Sequence, residues 1–99
     1  MELTERQRKY LRGLGHPLKP VILIGNSGLT PGVIAETIRA LDDHELIKVK
    51  VRSADRSARD QIFEGLETAS QGSLVSRVGH VGLYYKRNLK KPGILIPDP

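Results

Sequence analysis

The chain of 99 residues has no cysteine and no tryptophan, and only one phenylalanine and three tyrosines. Without cysteine there can be no disulfide framework, no thiolate metal site and no cysteine nucleophile. A reducing compartment fits this, and a cytoplasmic location is expected. Aromatics at 4% are too few for a platform on which successive bases stack. The longest strictly apolar run, Val21 to Ile24, is far shorter than the ~20 residues that cross a bilayer, and Met1 to Arg6 lacks the apolar stretch of a signal peptide. No membrane partner is expected.

Acids are also missing from two long stretches. Between Arg6 and Ala35 there is no Asp or Glu, while Arg6, Arg8, Lys9, Arg12 and Lys19 are cationic; between Thr68 and Pro97 the cations are Arg77, Lys86, Arg87, Lys90 and Lys91. The intervening segment, Glu36 to Glu67, has eight acids against six bases, so the overall charge of +5 resides in the flanks. A solvated surface explains such charge by itself. A surface for polyanions, nucleic acid above all, requires the two flanks to meet in space. The length is that of one small domain with a single core.

Along the chain, Thr4 and Gln7 form a capping box before a helix that stops near Gly13, Gly15 and Pro17. Its apolar side is expected to carry Leu3, Gln7, Tyr10, Leu11 and Leu14, with Arg6, Arg8, Lys9 and Arg12 exposed. Val21 to Ile24, apolar at every position, reads as a strand buried on both faces. Gly25-Asn26-Ser27-Gly28 follows at once, and Thr30-Pro31 caps a helix with the stripe Val33, Ile34, Ile38 and Leu41. From Glu45 to Arg52, Ile47, Val49 and Val51 alternate with Lys48, Lys50 and Arg52, which predicts a strand with one buried and one basic face. A turn at Ser53 to Asp55 leads into a helix through about Ala69, in which Ala58, Ile62, Phe63, Leu66 and Ala69 recur at helical spacing.

Alternating segments on either side of Gly79-His80 predict a closing hairpin. The tail, residues 89–99, contains Pro92 and Pro97 and is expected to be an edge strand or disordered, leaving residues 1–88 as the domain. The fold expected is an α/β two-layer sandwich in the order α-β-α-β-α-β-β, a four-stranded mixed sheet with helices mainly on one face.

The tetrapeptide Gly25-Asn26-Ser27-Gly28 lies between a strand and a capped helix. Unpaired N–H groups and the positive end of the helix dipole suit an anion there, and glycine lets a phosphate approach the main chain. Two glycines in a turn are a weak signal alone, and the flanking elements strengthen it. A Walker A loop would need Gly-Lys-Ser/Thr and a dinucleotide fold a third glycine; neither is present. His16, His44 and His80 are scattered among turns with no carboxylate at ligand spacing, so no metal, cofactor or catalytic residue is expected.

Four segments resemble the YhbY-like proteins, single bacterial examples of the CRM (chloroplast RNA splicing and ribosome maturation) domain. They are Leu14-Gly15-His16-Pro17-Leu18-Lys19-Pro20-Val21, Ile24-Gly25-Asn26-Ser27-Gly28-Leu29-Thr30, Glu45-Leu46-Ile47-Lys48-Val49-Lys50 and Val78-Gly79-His80-Val81-Gly82-Leu83-Tyr84-Tyr85-Lys86. The resemblance implies an RNA-binding α/β domain similar to the C-terminal domain of bacterial translation initiation factor three. It also implies a G-x-x-G loop analogous to that of KH domains and association with precursors of the large ribosomal subunit. Many relatives place a basic residue inside the G-x-x-G; here Asn26 and Ser27 are neutral, so cations elsewhere must supply the charge.

The residues expected to contact RNA are therefore Gly25, Asn26, Ser27 and Gly28 with Lys19, Arg6, Arg8, Lys9, Arg12, Lys48, Lys50, Arg52 and Lys86. The expected function is non-catalytic binding of ribosomal RNA in large-subunit precursors. The alternatives are a module that binds ribosomal proteins and, ranked last, an enzyme acting on a phosphorylated small molecule, which lacks an acid/base pair.

Overall fold

A computed structural model describes residues 2–99. Seven elements follow one another in the expected order: α1 (Glu5–Gly15), β1 (Pro20–Ile24), α2 (Pro31–His44), β2 (Leu46–Val51), α3 (Arg56–Ser70), β3 (Ser73–Val78) and β4 (Val81–Tyr85). Each helix starts at a capping side chain. Thr4 accepts the Gln7 N–H while the Gln7 side chain accepts the Thr4 N–H, Thr30 accepts from Val33, and Asp55 accepts from Ser57. Such caps satisfy amides that a helix leaves unpaired and contribute ~1 kcal/mol each.

The sheet runs β1-β2-β4-β3, with β1 and β2 parallel and the other pairs antiparallel. Parallel strands need a crossover, which α2 supplies, whereas β3 and β4 need only the tight turn at Gly79-His80. Helices α2 and α3 cover one face, around Ile24, Leu41, Val49, Val51, Phe63, Leu66 and Tyr84. On the other face α1 lies over β2, β3 and β4, around Leu11, Leu46, Val75, Leu83 and Tyr85. The single core expected from length is thus divided by the sheet into two clusters. A Cβ on Gly15 would stand 2.7 Å from a Leu83 methyl, so the end of α1 lies flush on β4 because that residue has none.

Three local expectations are corrected. First, β1 is an edge strand rather than one buried on both faces: Ile22 and Ile24 are buried, but Val21 and Leu23 are 52% and 51% exposed. Second, the inward line of α1 is Gln7, Leu11 and Gly15, at i, i+4 and i+8, which puts Tyr10 and Leu14 on an exposed flank. Arg8 lies on the other flank, where its Nη1 donates to the carbonyls of Leu74 (2.8 Å) and Val75 (3.0 Å). Those carbonyls sit at an irregularity of β3, between Leu74 and Ser76, so Arg8 satisfies main chain that the ladder leaves open.

Third, the tail, expected as an edge strand or disordered, adds no strand to the sheet among the described residues. Instead Ile94 and Ile96 pack against the α1-side cluster, and the Gln7 side-chain amide donates to the Pro97 carbonyl at 3.0 Å. The buried carboxylate of Glu45 accepts from the amides of Asn88 (2.7 Å), Gly93 (2.6 Å) and Ile94 (2.8 Å). Glu45 itself holds φ at +61° as the residue that ends α2, a conformation a non-glycine residue keeps only when its surroundings fix it.

Candidate nucleic-acid interface

Strand direction decides which loops share an end of the sheet. Because β1 and β2 are parallel, Gly25 leaves β1 at the end where Arg52 leaves β2. Because β4 is antiparallel to β2, with Lys50 opposite Val81, the Gly79-His80 turn closes there as well. The N-termini of α2 and α3 point to the same end.

Gly25-Asn26-Ser27-Gly28 is a single turn in which the Gly28 N–H donates to the Gly25 carbonyl at 3.1 Å. Gly28 takes φ +67°, and a Cβ built on either glycine meets nothing within 4 Å. Gly25, Asn26 and Ser27 are exposed, so the main chain here is open to an incoming group. In the first turn of α2, Pro31 has no N–H and Thr30 accepts the one from Val33 at 3.1 Å, which leaves that of Gly32 to face outward from the dipole's positive end. No acid occupies that first turn.

The cations of β2 approach this loop in a row. Lys48 pairs with Pro20 and Lys50 with Leu23, and the Arg52 N–H donates to the carbonyl of Ile24, the residue before the loop, at 2.8 Å. Residues two apart on a strand share a face at about 7 Å spacing. Lys50 and Arg52 are exposed, and Lys48 reaches the His16 carbonyl at 3.3 Å. Lys19 is exposed just before β1, and Arg12 is exposed and paired with Glu5 at 3.1 Å. Lys48, Lys50 and Arg52 therefore run in one line to the loop, with Arg12 beside Lys48, whereas Lys19 stands at the other end of β1 from the loop.

The remaining expected residues are placed elsewhere. Lys86 follows Tyr85, which pairs with Leu46 at the start of β2, so it stands at the opposite end of the sheet, about 20 Å from the loop at strand rise. Arg6 and Lys9 flank a hollow on the outer side of α1 with Tyr10, Leu14 and Pro97. Arg8 is engaged with β3 as described.

Charge counting along the chain missed one group. Arg56, Arg59, Asp60, Arg77 and Gly79 line a hollow of about 390 Å³ on the α3 side. Arg59 donates to the carbonyls of Ser53 and Ala54, and Arg77 pairs with Asp60 and lies 4.4 Å over the Phe63 ring, so these cations are largely engaged, while Arg56 is exposed. The signal was hidden because Arg56 and Arg59 belong to the net acidic middle segment.

The histidines are all exposed and sit in different places. Among the described residues no group of three or more His, Cys, Asp or Glu could hold a metal ion, and no helix is long and apolar enough to cross a membrane.

Comparison with known proteins matches residues 3–86 to the CRS1/YhbY (CRM) domain. A Pseudomonas aeruginosa protein named "probable RNA-binding protein" is 46% identical over 90 residues, 91% of this chain and 86% of that one. A Haemophilus influenzae protein named "RNA-binding protein" is 42% identical, covering 85% of each chain. The solution structure of a Staphylococcus aureus protein superposes with TM-score 0.83 at 30% identity, over 97% of this chain and all of that one. With residues 3–86 matched by the family model and a relative 46% identical over 91% of its length, the chain belongs to the CRS1/YhbY (CRM) domain family.

Proposed function

We propose that this chain is a non-catalytic RNA-binding module that acts on ribosomal RNA in precursors of the large ribosomal subunit. The observation that carries the reading is the open Gly25–Gly28 turn at the head of α2, with the row Lys48, Lys50 and Arg52 leading to it. The turn offers main-chain donors to one phosphate, and the row offers charge to those that follow. The names of the relatives from Pseudomonas aeruginosa and Haemophilus influenzae support RNA as the polymer. Neutral Asn26 and Ser27 make the turn a hydrogen-bonding site whose electrostatics come from β2.

The test is fluorescence anisotropy with ribosomal RNA fragments across a salt series, beside crosslinking in cells with sequencing of the attached RNA. Four to five neutralised phosphates on a single strand give a slope of log K against log salt of about −3. Enrichment of large-subunit precursor RNA is expected. A flat salt response, or a broad messenger profile, overturns the reading.

A further inference from the structure

The edge position of β1 leaves part of the sheet uncovered on the α1 side. Beyond the end of α1 this face forms a groove of about 500 Å³, within the range of clefts that hold small organic ligands. Its apolar lining comes from Leu18, Pro20, Val78, Val81 and Leu83, and its cations are Arg12 and Lys48; no Asp or Glu lines it. Here the two acid-free flanks meet, Arg12 to Pro20 from one and Ser76 to Leu83 from the other. Val78 is 80% exposed and Leu18 38%. The patch continues onto Leu23, the neighbour of Lys50 in the sheet.

An apolar floor with a cationic rim has a specific complement. A peptide of acidic character would satisfy the rim but leave the floor to chance side chains, and a nucleic-acid duplex would present phosphates with its bases already stacked away. An unpaired nucleotide offers both parts at once: a flat base for the aliphatic floor and a phosphate on each side for the cations. From the groove, Lys48, Lys50 and Arg52 lead to the glycine turn over about 13 Å of extended strand, so the groove and the turn can engage one short single strand.

We infer that this groove holds an unpaired base of the bound RNA and makes the domain selective for single-stranded over duplex RNA. The inference rests on the RNA-binding reading and goes beyond it by assigning the base site to Leu18, Val78 and Val81. Bases are held there by aliphatic contact and not by aromatic stacking, which is how a chain with few aromatics reads a single strand.

The test compares a 5′-labelled single-stranded oligoribonucleotide with the blunt duplex of the same sequence. It uses the full chain as wild type, Leu18→Ser/Val78→Ser and Leu89→Ser. Wild type is expected to prefer the single strand by roughly ten-fold, the effect of removing the apolar surface of one base and its aliphatic floor from water. The double serine variant should lose that preference while keeping its duplex affinity, since Arg12 and Lys48 remain; Leu89→Ser, which removes an exposed apolar side chain outside the groove, should retain it. Methyl resonances of Leu18, Val78 and Val81 should shift with the single strand and not with the duplex. Equal wild-type affinity for the two RNAs, or unchanged single-strand binding by the double serine variant, overturns the base site while leaving the RNA-binding function standing. If the double variant binds RNA normally but no longer retains a ribosomal protein, the groove is a protein site and the inference is wrong. Failure of wild type to bind any RNA at low salt removes the function and the groove assignment together.

Discussion

The main-chain N–H of Arg52 donates to the carbonyl of Ile24 at 2.8 Å. This one bond ties the exit of β2 to the residue that opens the glycine turn, so an exposed cation and the open main chain of the turn are held side by side by backbone alone.

Reversing the charge of Arg52 or Lys50 should therefore weaken RNA binding without loss of fold, because both side chains are exposed. Each phosphate contact removed should flatten the salt slope by about 0.7 on single-stranded RNA. Lys86→Glu, at the far end of the sheet, serves as the contrast and should change the slope little. Anisotropy titrations at several salt concentrations, with circular dichroism to check folding, read both.

In the turn, stability and binding separate. Gly28 sits at φ +67°, where a Cβ costs roughly 1–2 kcal/mol, so Gly28→Ala should lower the melting temperature by several degrees even though nothing lies within 4 Å of the added atom. Ser27→Glu is exposed and has no such constraint. It should melt like wild type and lose RNA affinity by charge repulsion. Wild-type RNA affinity in a folded Ser27→Glu protein would remove the turn from the interface.

Glu45 should make the fold acid-sensitive. Burial by itself raises its pKa, but amides of Asn88, Gly93 and Ile94 and the nearby charge of Arg87 together outweigh burial, so the carboxyl lies below its ordinary value. A group lowered in the folded state contributes its full stability above its ordinary pKa and loses it as pH falls through the folded one. Thermal melts between about pH 5 and pH 2 should show the loss in wild type and much less of it in Glu45→Gln. At neutral pH that variant should be less stable by roughly 1–3 kcal/mol, the scale of hydrogen bonds to a charged group.

Two adjacent tyrosines should respond in opposite ways to loss of the hydroxyl. The buried Tyr84 donates to the Phe63 carbonyl at 2.8 Å, whereas the buried hydroxyl of Tyr85 has no hydrogen-bond partner among the described residues. Tyr84→Phe should cost about 1 kcal/mol; Tyr85→Phe should be neutral or stabilising, since it removes an unsatisfied polar atom. Burial pushes both phenols above their ordinary pKa, so above about pH 10 unfolding is favoured by ionisation in the unfolded chain. Chemical denaturation of the two variants would separate them.

The caps, the β2 alternation and the hairpin were legible because each is a relation between residues near in sequence. Thr4 and Gln7, or Lys48 and Lys50, carry their geometry with them. What covers a face does not travel that way. Val21 and Leu23 look as apolar as Ile22 and Ile24, and only the strand order and the reach of α1 leave them exposed. Arg8 looks like surface charge until β3 arrives from more than sixty residues away. Lys86 belongs to a basic flank in sequence, yet the hairpin carries it to the end of the sheet opposite the glycine turn. Of the candidate site, the turn and the β2 row were readable; the groove was not, because its walls come from both ends of the chain.

The tail's anchorage also bears on where this domain could be cut for transplantation into another protein. The family match ends at Lys86, and a graft designed on that boundary would look complete. It would strand the Glu45 carboxylate without its three amide donors, release the Gln7 amide and uncover the cluster beneath Ile94 and Ile96. A portable version of the domain must run through Pro97, eleven residues past the end of the family match, to keep these contacts.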